Sequence, residues 1–141
     1  MDLFVYSRRA LEAVQPHEVP HVTISITSGP EDIARVRRNE HCKGILRLYF
    51  ADAEVPSDRF PEAVLFTPAH AGQIWDFVLR HRDLERIVLH CDAGISRSAA
   101  VAAALARILN GDDAEFFAGK YRPNMRVYRL LLDHAPPQED S

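Results

Sequence analysis

Four short apolar runs set the limits on what this chain can become. Residues 3–6, 22–26, 44–50 and 87–90 are each of strand length, and the second is rich in β-branched residues. Helix-patterned or irregular stretches separate them. Residues 8–14 read as a short helix, residues 15–20, which hold two prolines, as a connector, and Ser28-Gly29-Pro30 as a break. Residues 31–38 read as one or two helical turns. Thr67-Pro68 marks a helix start, with threonine as N-cap and proline at the first helical position. That helix runs to about His81 and puts Ile74, Phe77 and Val78 on one face. The alanine-rich stretch 98–109 reads as a helix closed by Asn110-Gly111. Asp112 caps a short helix through Phe116-Phe117, and residues 126–134 form the last one. Strands joined by helical crossovers specify an α/β fold. The expectation is a single domain over residues 1–141, with a mostly parallel sheet of four to five strands and helices on both faces. Residues 136–141 are expected to be a frayed polar tail.

The strand 87–90 has helices on both sides in sequence and is placed at the centre of the sheet. Its carboxyl end is where open α/β sheets hold ligands. There the chain reads His90-Cys91-Asp92-Ala93-Gly94-Ile95-Ser96-Arg97-Ser98. A cysteine ending a strand, five residues, then an arginine entering a helix is a geometry suited to an oxyanion. The loop of Asp92, Ala93, Gly94, Ile95 and Ser96 can curl with its N–H groups inward, and the helix N-terminus adds partial positive charge. Gly94 tolerates the positive φ of such a curl. Arg97 offers two parallel charge-assisted hydrogen bonds to a phosphate, a match lysine lacks. Cys91 lies at the bottom as nucleophile. A thiolate is the reactive form, and helix N-termini and neighbouring cations favour it.

This run resembles the HCxxGxxRS signature of the cysteine-dependent tyrosine and dual-specificity phosphatases, small bacterial-type members among them. The matching residues are His90, Cys91, Gly94, Arg97 and Ser98. The resemblance implies hydrolysis of phosphate monoesters, on phosphotyrosine or another phosphoprotein, through a cysteinyl-phosphate and without metal or cofactor. It gives His90 the task of orienting the loop and helping to ionise the thiol, and Ser98 that of assisting thiolate release. It also implies a general acid on a loop leaving a strand some thirty to forty residues before the cysteine. Asp52 matches that place, with Asp58 as the alternative. Pro123-Asn124 resembles a pair that precedes the last helix in many dual-specificity members. It reads as a brace for the phosphate loop or as an N-cap. The likeness covers about half the chain, and residues 1–42 carry no subfamily motif. Phosphoinositide-directed members carry lysines within the loop. Here those positions are Asp92, Ala93, Ile95 and Ser96, so a polyanionic headgroup is disfavoured, and Asp92 would repel a second phosphate.

Composition narrows the alternatives. A net charge of −3 gives no electrostatic reason to expect nucleic acid or an anionic membrane. There is no apolar run long enough to span a bilayer, and the first six residues lack the basic start of a secretory signal. Two cysteines are too few for a disulfide framework, so a cytoplasmic compartment is expected. Cys42 reads as a buried thiol, with a redox partner for Cys91 as the alternative. His17 and His21 make a poor metal site, and Arg35, Arg37 and Arg38 form a solvated basic face. Two other functions share these residues: a phosphate- or phosphoprotein-binding module with little turnover, and rhodanese-like sulfur transfer. Oligomeric state is not encoded in any motif.

Overall fold

Polar and apolar residues alternate along β2 (His21–Thr27), yet all seven are buried. A strand of this pattern can be buried on both sides only if it separates two layers, and that is its place here. The computed structural model describes residues 1–137 and contains one four-stranded sheet among them. With β1 (Asp2–Ser7), β3 (Cys42–Tyr49) and β4 (Arg86–Cys91), the order is β1-β4-β2-β3, and every pairing is parallel. β4 is therefore central, as its sequence neighbours implied.

The two faces differ in chemistry. Val22, Ile24 and Ile26 of β2 and Ile87, Leu89 and Cys91 of β4 belong to the main core. They meet α2 (Pro68–Arg80), α3 (Arg97–Leu105) and α4 (Met125–Asp133) there. Thr23 and Val88 face the other way, where they line a small pocket with Leu11 of α1 (Arg8–Ala13). Among the described residues helices thus lie on both faces, three on one and a single short helix on the other.

Local sequence explains the helix positions. Thr67 and His70 form a reciprocal capping box at the start of α2, with His70 Nδ1 accepting from the Thr67 N–H at 3.0 Å. Its inner face buries Ala71, Ile74, Trp75, Phe77 and Val78. All nine residues of α3 are buried, and five of them are alanine. Small side chains all round let this helix sit tightly between the sheet and α4. A π-turn over Ala106–Asn110 extends α3, and Gly111 closes it at φ 79°. Short 3₁₀ turns occupy Glu62–Val64 and Ala114–Phe117, and Asp112 Oδ1 accepts from the Ala114 N–H.

One expected element is absent. After a turn in which Asp32 N bonds Gly29 O, residues 33–38 run without helix. Side chains from elsewhere claim the peptide groups a helix would have paired internally. Arg8 donates to Ile33 O, Arg47 to Ala34 O, and Glu12 accepts from Arg35 N. Of the expected tail, residues 136–137 carry neither helix nor strand, and residues 138–141 lie outside the described residues.

Candidate active site

β4 carries Cys91 to the carboxyl edge of the sheet, and the chain then curls through residues 92–96 into α3. Gly94 fixes that curl. Its φ is +73°, and a Cβ there would lie 2.5 Å from Ser7 N and 2.7 Å from Tyr6 O, so the loop rests directly on the end of β1. Carbonyls of the loop are held outward by donors around it. Arg8 N bonds Asp92 O, Arg122 N bonds Ile95 O, and Asn124 N bonds Ser96 O. The Gly94 N–H turns the other way, to Cys91 Sγ at 3.3 Å.

Cys91 is 2% exposed, and its Sγ also meets Ser98 Oγ at 3.1 Å. The Ser98 hydroxyl is thus at the sulfur rather than capping its helix. Ser96 occupies the N-cap position without a side-chain capping bond. Arg97, 4% exposed, reaches back across the loop. One terminal nitrogen donates to Phe50 O at 2.8 Å and Ser28 Oγ at 3.1 Å, and the other to Asp92 Oδ2 at 3.1 Å. Its Nε is buried with no partner. A buried N–H on a guanidinium is costly unless something accepts from it.

His90 is fully buried on the opposite face of the sheet from Cys91. Its Nε2 lies 2.6 Å from Ser25 Oγ on β2, and its Nδ1 lies 3.3 Å from Cys91 O. Burial pushes the imidazole below its ordinary range, so it is neutral at neutral pH. The pairing matches Nδ1–H donating to the carbonyl and Nε2 accepting from the serine hydroxyl. His90 can therefore orient the Cys91 peptide but brings no positive charge to the thiol.

Asp52 leaves β3 three residues past Tyr49 and reaches the same loop from the other side. Its Oδ1 accepts from Ser96 Oγ at 2.8 Å and from Asn124 Nδ2 at 2.9 Å. Asn124 does two things at once, since its own Oδ1 accepts from Arg126 N and Val127 N to cap α4. Asp58 is exposed, further along the loop. Asp52, Ser96, Asn124, Arg122, Val55 and Phe117 line an open cleft of about 660 Å³ beside the loop.

The structure thus gathers Cys91, Asp92, Gly94, Ser96, Arg97, Ser98 and Asp52 at one sheet edge, with His90 beneath them. Cys42 is buried but sits at the start of β3, the opposite end of the parallel sheet. His17 is engaged by Tyr6 and Arg86, and among the described residues no cluster of histidine, cysteine and carboxylate side chains could hold a metal. Nor is any helix among them long and apolar enough to cross a membrane. Sequence reading overlooked three supports: Ser25, Ser28 and the Phe50 carbonyl. Ser25 left a trace, as the middle of the alternating Thr23, Ser25, Thr27 set on β2.

No protein-family model matches the chain, and no curated protein matches it significantly. Solved structures do. Human tyrosine phosphatase-like serine/threonine/tyrosine-interacting protein aligns at 20% identity over 94% of this chain and 89% of that one, with a TM-score of 0.59. A variant of human DUSP28 aligns at 19% identity over 93% and 87%, with a TM-score of 0.62. PTPMT1 in complex with PI(5)P aligns at 19% identity over 94% and 88%, with a TM-score of 0.58. These alignments run over nearly the whole chain: the protein has the fold of the tyrosine and dual-specificity phosphatases.

Proposed function

We propose that the protein is a cysteine-dependent phosphatase acting on phosphate monoesters, with phosphoprotein substrates, phosphotyrosine among them, as the expected class. One observation carries this reading. Cys91 Sγ and the buried Arg97 share a strand-to-helix loop, with Gly94 N–H and Ser98 Oγ already on the sulfur. The unpartnered Arg97 Nε supports it, because an oxyanion in the loop would satisfy that donor.

The chemistry then runs in two displacements. Cys91 thiolate attacks phosphorus as the ester P–O bond breaks, and Asp52 passes its proton to the departing oxygen. Both bonds to Asp52 fall on Oδ1, which leaves Oδ2 to carry that proton. Water next attacks the cysteinyl-phosphate while Asp52 takes up a proton from it. The S–P bond breaks, inorganic phosphate leaves, and Ser98 donates to the regenerated thiolate. Arg97 and the loop N–H groups stabilise the charge spread over the phosphoryl oxygens throughout.

A module that binds phosphate without turnover has the same loop, and one of the similar structures is described as phosphatase-like and interacting. The presence of Cys91, Arg97 and Asp52 together favours turnover. The test is hydrolysis of para-nitrophenyl phosphate by the purified protein. Activity that persists in EDTA, falls with vanadate and disappears in Cys91→Ser supports the proposal. Wild-type turnover in Cys91→Ser would overturn the mechanism. Phosphate binding without any turnover would leave the binding module.

A further inference from the structure

Arg97 is the group an incoming phosphate needs, and it is already engaged by a carboxylate of its own loop. Asp92 Oδ2 lies 3.1 Å from one terminal nitrogen of Arg97, whose side chain is 5% exposed. Asp92 itself is 52% exposed, so its carboxylate lies at the mouth of the loop rather than beneath it. Its other oxygen, Oδ1, is 4.0 Å from Arg8 at the start of α1. Arg8 in turn is anchored by Asp32 at 2.7 Å and Glu12 at 3.4 Å. The backbone braces the same junction, with Arg8 N donating to Asp92 O at 3.1 Å. Asp92 therefore stands between two guanidiniums, one buried in the candidate phosphate site and one partly exposed outside it.

The geometry points to Asp92 as an internal competitor for Arg97, a specificity-determining carboxylate that every oxyanion must displace toward Arg8. This rests on the phosphatase reading of the loop. With no anion present, the Asp92–Arg97 contact neutralises a buried cation that otherwise lacks a counter-charge. When a dianionic phosphate enters, it offers Arg97 more charge and two oxygens at once, and Asp92 is left with Arg8. The exchange costs part of the binding energy of any anion. A ligand with two ester-linked phosphates suffers most, because its second phosphate would face the displaced carboxylate. The site is thereby tuned to single phosphate monoesters that have enough further contact with the cleft to offset the exchange.

Calorimetric titration of the whole protein with inorganic phosphate tests this without requiring turnover. Asp92→Asn, which keeps the shape and drops the charge, should bind phosphate roughly three- to thirty-fold more tightly than wild type, the range for loss of one charge-assisted contact at a half-exposed position. Asp92→Ala should do the same and guards against a fold-specific defect of the first variant. With para-nitrophenyl phosphate, KM should fall by a similar factor. Arg8→Ala should weaken phosphate binding in the wild type by removing the alternative partner, and most of that loss should vanish in the Asp92→Asn background. Equal or weaker phosphate binding by both Asp92 variants would overturn the proposal, and so would an undiminished Arg8→Ala effect in the double variant. If no variant and no wild-type sample bound phosphate, the reading of the loop itself would fall first.

Discussion

Asn124 donates from Nδ2 to Asp52 Oδ1 at 2.9 Å, while its own Oδ1 accepts from the first turn of α4. One side chain thus ties the start of the last helix to the proposed acid. The two tasks are separable. Asn124→Ser keeps an N-cap but is too short to hold Asp52, whereas Asn124→Ala loses both. Urea denaturation should show Asn124→Ala destabilised by about 0.5–2 kcal/mol and Asn124→Ser by much less. Both should lose roughly tenfold in kcat, a fraction of the total contribution of a general acid. Loss of activity that tracked stability across the pair would show that Asn124 acts on α4 alone.

Asp52 itself is the subject of a pH–rate test. Asp52→Asn should slow phenyl or alkyl phosphates by about 10²–10⁴-fold and spare a substrate whose leaving group needs little protonation. It should also flatten the basic limb of the profile, which reports loss of the acid's proton. Asp58→Asn should leave the profile bell-shaped. The opposite pattern would exchange the two roles.

Arg97→Lys keeps the charge but cannot serve Phe50 O, Ser28 Oγ and Asp92 together from one nitrogen. The rate should drop by about two orders of magnitude. Stability should fall by about 1–3 kcal/mol, because the Phe50 carbonyl is left unsatisfied in a buried place. A Lys variant with near-normal kinetics would put the guanidinium outside the phosphate site.

Acid sensitivity follows from buried imidazoles. Burial is the main cause that holds His90, His17 and His70 below the usual histidine range. A folded value below the unfolded one, near 6.5, means the unfolded chain binds protons first as pH falls. Stability from these groups is complete above that unfolded value and is lost progressively as pH drops toward the folded values. The urea midpoint should therefore decline between pH 7.5 and 5, and His90→Asn should decline less steeply. Parallel curves for the two proteins would remove His90 from the effect.

A Cys42–Cys91 disulfide is ruled out by register. Cys42 pairs with His21 and His21 with Arg86, so Cys42 is level with the start of β4 and Cys91 is at its end. At about 3.3 Å per residue the two thiols are some 16 Å apart along the strands, well beyond the reach of a disulfide. Mild peroxide followed by non-reducing mass spectrometry should show no intramolecular crosslink. Its appearance would require the sheet to open.

The readable parts of this sequence were those whose signals are local. Thr67-Pro68 announced α2 through its own capping chemistry, and the Cys91 loop announced itself through a strand, a glycine and a helix in series. Asn124 reads in sequence as either a brace or a cap, and in the structure it both holds the Ser96 carbonyl and caps α4. Residues 31–38 misled because their helical composition is overruled by Arg8, Glu12 and Arg47, which arrive from other elements. The Ser25–His90 contact spans 65 residues, and no local pattern encodes such a pairing. From sequence alone Asp92 reads as a guard against a second phosphate. Its contact with Arg97 depends on a loop curvature that sequence spacing does not reveal.

The sheet order gives the growing chain an awkward itinerary. β1 and β2 are synthesised well before β4, yet β4 lies between them and hydrogen-bonds to both. Until β4 is made, β1 and β2 each present a bare edge to their surroundings, with the place between them unfilled. Insertion of β4 then does three things in a single event. It completes the sheet, seats Gly94 on the end of β1 and delivers the thiol to its loop. Assembly of the proposed reactive centre is thereby deferred to the last act of sheet formation, so nascent chains that stall early lack the Cys91 loop altogether. They are instead the form most exposed to edge-to-edge aggregation.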